Sequence, residues 1–196
     1  MKVGFNMKDY YSKYCEEFID GTINCNMKEL YTFFEKYLPN KSTKILDLGF
    51  GSGRDSLYFQ KKYDVYSLDP AIEFCEHGKK IGLKNIICSK VEDMPFIDEF
   101  DGIWACASLL HISSQNIIFA FEKCFNALKK EGIMYCSFKY GNFEGERNNR
   151  YYLDLTEERL KEFVEKTQFE IVSIIVTDDV RKDKKERWIN AILRKS

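Results

Sequence analysis

The chain has 196 residues, 44% of them hydrophobic and 31% charged, and a formal net charge of -1 at pH 7. That length and balance suit one domain with a sizeable core, and so small a net charge supplies no field to attract nucleic acid or anionic lipid. Seven cysteines, none in a C-x-x-C pair, argue against a disulfide framework or a zinc site and for free thiols in a reducing cytoplasm.

The first residues, MKVGFNMKDYYSKY, are polar and lack the apolar core of a signal peptide. Residues 8–19 predict a short helix. After the loop DGTIN, a stronger helix is predicted from Met27, Leu30, Tyr31, Phe34, Tyr37 and Leu38, which recur at helical spacing. Pro39-Asn40 stops it. Strand and helix then alternate: strand 44–48, helix 54–62, strand 63–68, helix 72–80, strands 85–89 and 100–106, helix 115–128 and strand 132–139. Such alternation implies right-handed crossovers and a parallel sheet covered on both faces. Residues 102–121 are uncharged and about long enough for a membrane. Their Ser108, His111, Ser113, Ser114, Gln115 and Asn116 make them a strand, loop and helix instead. Near the end, Thr156 is placed as an N-cap, with Glu157 and Glu158 at the positive end of the helix dipole. Strands 169–177 and 187–193 follow in succession, predicting an antiparallel hairpin. The connection between them, DDVRKDKKE, is too charged for burial. Residues 141–152, after Tyr140, read as a polar loop.

The stretch "ILDLGFGSGRD", residues 45–55, joins the first core strand to the next helix through Gly49, Gly51 and Gly53. Each glycine costs backbone entropy, so the loop is built for close approach of a ligand. A dinucleotide loop follows G-x-G-x-x-G. Here the third glycine comes one place early, and Asp47 precedes the loop, where it would repel a pyrophosphate and favour an ammonium group. Asp69, about 20 residues after the first glycine, ends the second strand, where an acid can chelate ribose hydroxyls. A nucleoside joined to an amino acid satisfies all three features.

These residues resemble class I S-adenosylmethionine-dependent methyltransferases. The motifs are Asp47-Leu-Gly49-Phe-Gly51-Ser-Gly53, "VYSLDP" ending at Asp69-Pro70, "KVEDMPF" at 90–96, and "FDGIWACASLLHI" at 100–112, followed by "ALKKEGIMYCSFK". In this order they cover nearly the whole chain, and the "GSGRD" step is distantly similar to tellurite-resistance methyltransferases. The resemblance implies an α/β, Rossmann-like three-layer sandwich: a mostly parallel seven-stranded sheet with an antiparallel C-terminal hairpin strand. It implies a single methyltransferase domain over 1–196, with 1–40 as a helical cap and 41–196 as the core. It also implies S-adenosyl-L-methionine as cofactor, S-adenosyl-L-homocysteine as product, and no metal.

The cofactor residues it implies are Asp47, Gly49, Phe50, Gly51, Gly53, Arg54 and Asp55 in and around the loop, then Asp69 and Pro70. Val91, Glu92 and Asp93 follow on the adenine side, with Ala105, Cys106 and Ala107 after the fourth strand and Tyr11 from the N-terminal helix. Phe50 departs from the cysteine or alanine usual in the family and must turn into the sheet–helix interface. Lys90 replaces an acid that often holds the adenine amino group, leaving that contact to Glu92 or the backbone. Arg54, a solvated helix residue in the plainer reading, can bind the methionine carboxylate beside the backbone amides. On the acceptor side stand Tyr14, Ser108, His111, Tyr140, Arg147 and Arg150. His111 is either the catalytic group or a cap on the turn after "ASLL"; Arg147 and Arg150 are either solvated or an anion clamp. His77 is placed on an exposed helix face without a role.

The expected reaction is methyl transfer to a small molecule by in-line displacement at the sulfonium methyl. It needs positioning and water exclusion more than acid–base machinery. A cytoplasmic monomer or homodimer is expected, without nucleic-acid or membrane partners. A nucleic-acid or protein methyltransferase and a cofactor-binding protein without turnover remain open. Against the first, Ala105-Cys106-Ala107-Ser108 stands where amino-directed DNA enzymes carry Asn/Asp-Pro-Pro-Tyr. A nicotinamide-dependent oxidoreductase is disfavoured by the glycine spacing.

Overall fold

The computed structural model describes residues 7–41, 43–181 and 184–196, with side chains from Lys13 onward. Helices α1 (Met7–Thr22) and α2 (Lys28–Glu35) come first. They are followed by β1 (Lys44–Leu48), α3 (Arg54–Phe59), β2 (Asp64–Asp69), α4 (Ile72–Lys80), β3 (Asn85–Cys88), β4 (Phe100–Ala105), α5 (Ile117–Ala127) and β5 (Leu128–Lys139). The last third adds β6 (Glu144–Arg147), β7 (Arg150–Leu153), α6 (Glu157–Val164), β8 (Phe169–Asp178) and β9 (Arg187–Lys195).

Seven strands form one sheet in the order β3-β2-β1-β4-β5-β9-β8. The five from β3 to β5 are parallel, and β9 runs antiparallel to both β5 and β8. The α/β sandwich and its antiparallel C-terminal hairpin are therefore as the sequence implies. Side-chain alternation along the strands builds two cores. Ile45, Trp104, Ile133 and Tyr135 face the layer of α2 and α3, where they meet Leu30, Phe34 and Phe59. Leu46, Leu48, Ile103, Met134 and Phe138 face the opposite layer, where α5 and α6 bring Phe121, Leu160 and Val164. A smaller cluster of Phe50, Phe74 and Cys75 receives Cys15, Phe18 and Ile19 from α1.

Thr156 caps α6, its side chain accepting from the Arg159 N–H at 3.4 Å. Two sequence readings need correction. The polar loop at 141–152 contains a β-hairpin, β6–β7, turned by Asn148 and Asn149 at φ +51° and +61°; paired left-handed residues give a turn that matches strand twist. The charged connection before β9 is not wholly solvated. The Asp179 carboxylate is only 2% exposed, because Arg181 pairs with it at 2.6 Å and the Trp188 indole donates to it at 3.0 Å.

The strand order reverses direction between β1 and β4, whose carboxyl ends open the crevice where open α/β sheets bind ligands. The glycine loop leaves β1 at that point.

Candidate functional site

A cavity of about 880 Å³ lies at this crevice. Its inner wall is the backbone of Gly49, Phe50, Gly51 and Ser52. Gly49 and Gly51 have φ of +75° and +51°, a region that side chains disfavour. A Cβ at Gly49 would collide with Ser108 Cβ, and one at Gly51 would stand 2.8 Å from a ring carbon of Phe18. The loop is glycine because β4's exit and α1 both crowd it.

Asp69 closes the next side. Its Oδ2 accepts from the Gly51 N–H at 3.1 Å and its Oδ1 from the Ala71 N–H at 2.9 Å. Burial pushes the carboxyl up to about 6, against the pull of those two N–H groups. The glycine loop and the end of β2 are thus tied together by one buried acid. Pro70, Val91, Glu92 and Lys90 continue the wall on this side.

Arg54 and Asp55 both line the cavity. Arg54 donates to Asp55 twice, at 2.6 and 2.8 Å, and to the Thr22 carbonyl of α1 at 3.2 Å. Asp55 also accepts from the Tyr31 hydroxyl at 2.5 Å and the Trp104 indole at 2.9 Å. Burial would raise the Asp55 carboxyl, but the Arg54 cation and these donors hold it low. Arg54 is therefore a fixed cation, not a solvated helix residue.

The acceptor-side residues come from the loop after β4 and from the hairpin. Cys106, Ala107, Ser108, His111, Arg147 and Arg150 line the cavity. Ser108 Oγ is buried without a protein hydrogen-bond partner. Such an atom beside a glycine-lined gap fits a polar ligand. His111 sits in a 3-10 turn, Leu109–His111, and its Nδ1 lies 2.7 Å from the Tyr151 carbonyl. A carbonyl only accepts, so Nδ1 carries the proton and the neutral ring has a basic Nε2. Burial lowers its pKa to about 4. Arg147 pairs with the Asp154 carboxylate and stacks 4.2 Å from the Phe143 ring centroid and 4.8 Å from that of Tyr152. Glu144 anchors the hairpin by accepting from the Ser114 N–H at 2.9 Å and the Tyr151 hydroxyl at 2.6 Å.

Six expected residues stand outside this cavity's wall: Tyr14, Asp47, Gly53, Asp93, Ala105 and Tyr140. Asp47, 2% exposed, lies beneath the loop and accepts from the Ser56 hydroxyl at 2.6 Å; burial raises its pKa, and Asp55 adds to the rise. Gly53 is the left-handed N-cap of α3. The Tyr140 hydroxyl donates to Glu157 at 2.8 Å. Tyr14 lines a neighbouring cavity of about 210 Å³ with Phe18, Arg150 and Arg181. The Tyr11 side chain lies outside the described residues, as does that of Tyr10. His77 is half-buried rather than idle on an exposed face, and its Nε2 lies 3.2 Å from the Ser52 carbonyl of the glycine loop. Sequence reasoning missed Ser137, Asp179, Arg181 and Asn190, which also line the cavity. The inward alternation of β5 and β9 was the available signal for Ser137 and Asn190.

Residues 46–136 match the methyltransferase domain family. The chain is 25% identical to the phosphoethanolamine N-methyltransferase of Plasmodium falciparum; the match covers 69% of this chain. The chain spans about half, 50%, of that relative's length. Among solved structures, it is similar to the 1,6-didemethyltoxoflavin-N1-methyltransferase of Burkholderia thailandensis, solved with its substrate and S-adenosylhomocysteine. The TM-score is 0.79 at 18% identity, over 97% of this chain and 87% of that one. The [4+2]-cyclase SpnF shares the fold at TM-score 0.74 and 13% identity, over 100% of this chain and 98% of that one. At these identities the two structures speak for the fold alone. What matches the methyltransferase domain family is residues 46–136, and what the whole chain shares with the two solved structures is the fold.

Proposed function

We propose that this chain is an S-adenosylmethionine-dependent methyltransferase and that it methylates a small-molecule acceptor held at the outer end of its cavity. The observation that carries the reading is the buried acid tying two loops together. Asp69 binds the Gly51 N–H, so the glycine loop and the ribose-side acid form one preorganised unit.

When bound, the cofactor supplies a methyl group already activated on a sulfonium. The chain's own residues then hold, orient and exclude water. In this reading Gly49, Phe50 and Gly51 admit the cofactor to the backbone. Asp69 accepts from its ribose, Pro70, Val91 and Glu92 flank its base, and the fixed cation of Arg54 faces its carboxylate. Asp55 holds that cation in place from within the wall, and Asp47, Gly53, Asp93 and Ala105 support these residues from behind. Cys106 and Ala107 stand between cofactor and acceptor, with Ser108, His111 and Arg150 on the acceptor side. His111 Nε2 is the group that takes a proton when the acceptor carries one.

The chain works as one domain, with residues 1–40 as a cap on the core at 41–196, and as a cytoplasmic monomer or homodimer without a nucleic-acid partner. Supporting this are the free cysteines and the near-zero charge. Among the described residues, no helix is long and apolar enough to cross a membrane. A second reading is cofactor binding without methyl transfer.

Calorimetry with S-adenosylhomocysteine and NAD tests the cofactor, and tighter binding of NAD overturns the proposal. Mass spectrometry of a panel of small amines, phenols and heteroaromatic acceptors incubated with S-adenosylmethionine then separates transfer from binding alone.

A further inference from the structure

Two thiols stand on the strand end that presents Asp69. Cys88, the last residue of β3, is the ladder partner of Asp69, and its Sγ donates to the Pro70 carbonyl at 3.9 Å. Cys75, in α4, donates from its Sγ to the Asp69 carbonyl at 3.5 Å. The two thiols therefore sit on consecutive carbonyls, those of Asp69 and Pro70. Cys88 is exposed and Cys75 is buried.

We propose that Cys75 and Cys88 are a peroxide-responsive thiol pair, whose oxidation to a disulfide weakens cofactor binding at Asp69. The consequence for binding rests on Asp69 being a cofactor residue; the disulfide itself does not. Hydrogen peroxide meets the exposed thiol first. The Cys88 sulfur attacks one peroxide oxygen, the O–O bond breaks, and Cys88 becomes a sulfenic acid as water leaves. The Cys75 sulfur then attacks the Cys88 sulfur. The S–S bond forms, the S–O bond breaks, and the departing oxygen leaves as a second water with the Cys75 proton. Two thiols have lost two electrons and two protons, and one peroxide has become two waters. Burial pushes the Cys75 thiol up, which keeps it unreactive toward peroxide and makes its attack on Cys88 the slower step.

A disulfide carries no S–H. Both carbonyls lose their thiol donor, and the Asp69 carbonyl keeps the Ser89 N–H at 3.2 Å. The chain that holds the Asp69 carboxylate against Gly51 is loosened.

The test treats the full chain with hydrogen peroxide, alkylates the remaining thiols and maps disulfides by non-reducing peptide mass spectrometry. Calorimetry with S-adenosylhomocysteine follows, before oxidation, after it, and after dithiothreitol. A 75–88 linkage is expected, with Kd raised about three- to tenfold and restored by reduction. Cys88→Ser is expected to abolish both effects while the reduced protein binds as wild type. Linkage of either thiol to Cys15 or another cysteine, over-oxidation of Cys88 without linkage, or a 75–88 disulfide with unchanged Kd each overturns the proposal. Failure of the reduced protein to bind S-adenosylhomocysteine at all would strike the functional reading instead, and the peptide map would still decide the disulfide.

Discussion

Phe18 of α1 lies against Gly51 so closely that a Cβ there would meet its ring at 2.8 Å. The first helix is therefore packed onto the glycine loop, and the two cannot be varied independently.

Gly51→Ala combines that contact with a left-handed backbone, which costs a non-glycine residue roughly 1–2 kcal/mol. Calorimetry should show weakened binding of S-adenosylhomocysteine, by about tenfold at 1.4 kcal/mol. Adding Phe18→Ala relieves the steric part and leaves the backbone strain, so part of the affinity should return. No recovery in the double variant would mean that α1 does not sit on the loop in solution.

Asp69 yields a pH prediction with a definite sign. Burial raises its folded pKa from 3.8 to about 6, so the folded state binds the proton more tightly than the unfolded state. Its contribution to stability is therefore greatest below pH 4 and is lost as pH rises through 6. The shift corresponds to about 3 kcal/mol. In urea titrations, the stability of wild type relative to Asp69→Asn should fall by up to that amount between pH 4 and pH 7. In the proposed site the ionised form accepts from the ribose hydroxyls, so affinity for S-adenosylhomocysteine should weaken as pH drops below 6, and this dependence should vanish in Asp69→Asn. A constant stability difference would show that the carboxyl titrates normally.

Asp55 accepts from Arg54, Tyr31 and Trp104 in the interior. Removing one partner of a buried pair typically costs about 3–5 kcal/mol, because the other is left charged and unpaired. Asp55→Ala and Arg54→Ala should each lose on that order by urea denaturation, while the double variant loses much less than the sum. Trp104→Phe, which removes one donor to a charged group, should lose about 1.5–3 kcal/mol. Additive losses in the cycle would dissolve the unit.

The fold and the crevice of this molecule were legible because their signals are local. Period-two and period-3.6 patterns placed every strand of the main sheet, and the glycine spacing with Asp69 located the crevice. What escaped depends on distant partners. Nothing near Asp55 announces Tyr31 and Trp104, which lie 24 and 49 residues away in sequence. Asp179 read as solvated because charge in a loop is usually so; Arg181 and Trp188 satisfy it instead. His77 read as exposed because helical spacing gives its face but not the Ser52 carbonyl that meets it. The β6–β7 hairpin did carry a local signal, Asn148-Asn149 between strand-like residues. Its surrounding charges masked it.

The last prediction concerns His111, which the geometry equips for two roles. Its Nδ1–H donates to the Tyr151 carbonyl at 2.7 Å and pins β7 to the turn after β4. The same bond leaves Nε2 as the basic nitrogen at the cavity. With a pKa lowered to about 4, the ring stays neutral across the working range. The pH–rate profile should therefore show no histidine limb between pH 5 and 8, in contrast to an ordinary imidazole. His111→Asn separates the roles, because the Asn amide can still donate to Tyr151 but supplies no base. Using the acceptor found by the panel, we expect His111→Asn to keep thermal stability and affinity for S-adenosylhomocysteine. Its kcat should fall by about a hundredfold or more, as loss of a general base does. His111→Ala should lose kcat likewise and also stability, since the Tyr151 carbonyl is left unpaired. If His111→Asn turns over like wild type while His111→Ala loses stability and affinity together, the imidazole is an anchor for the hairpin and the proton leaves by another route.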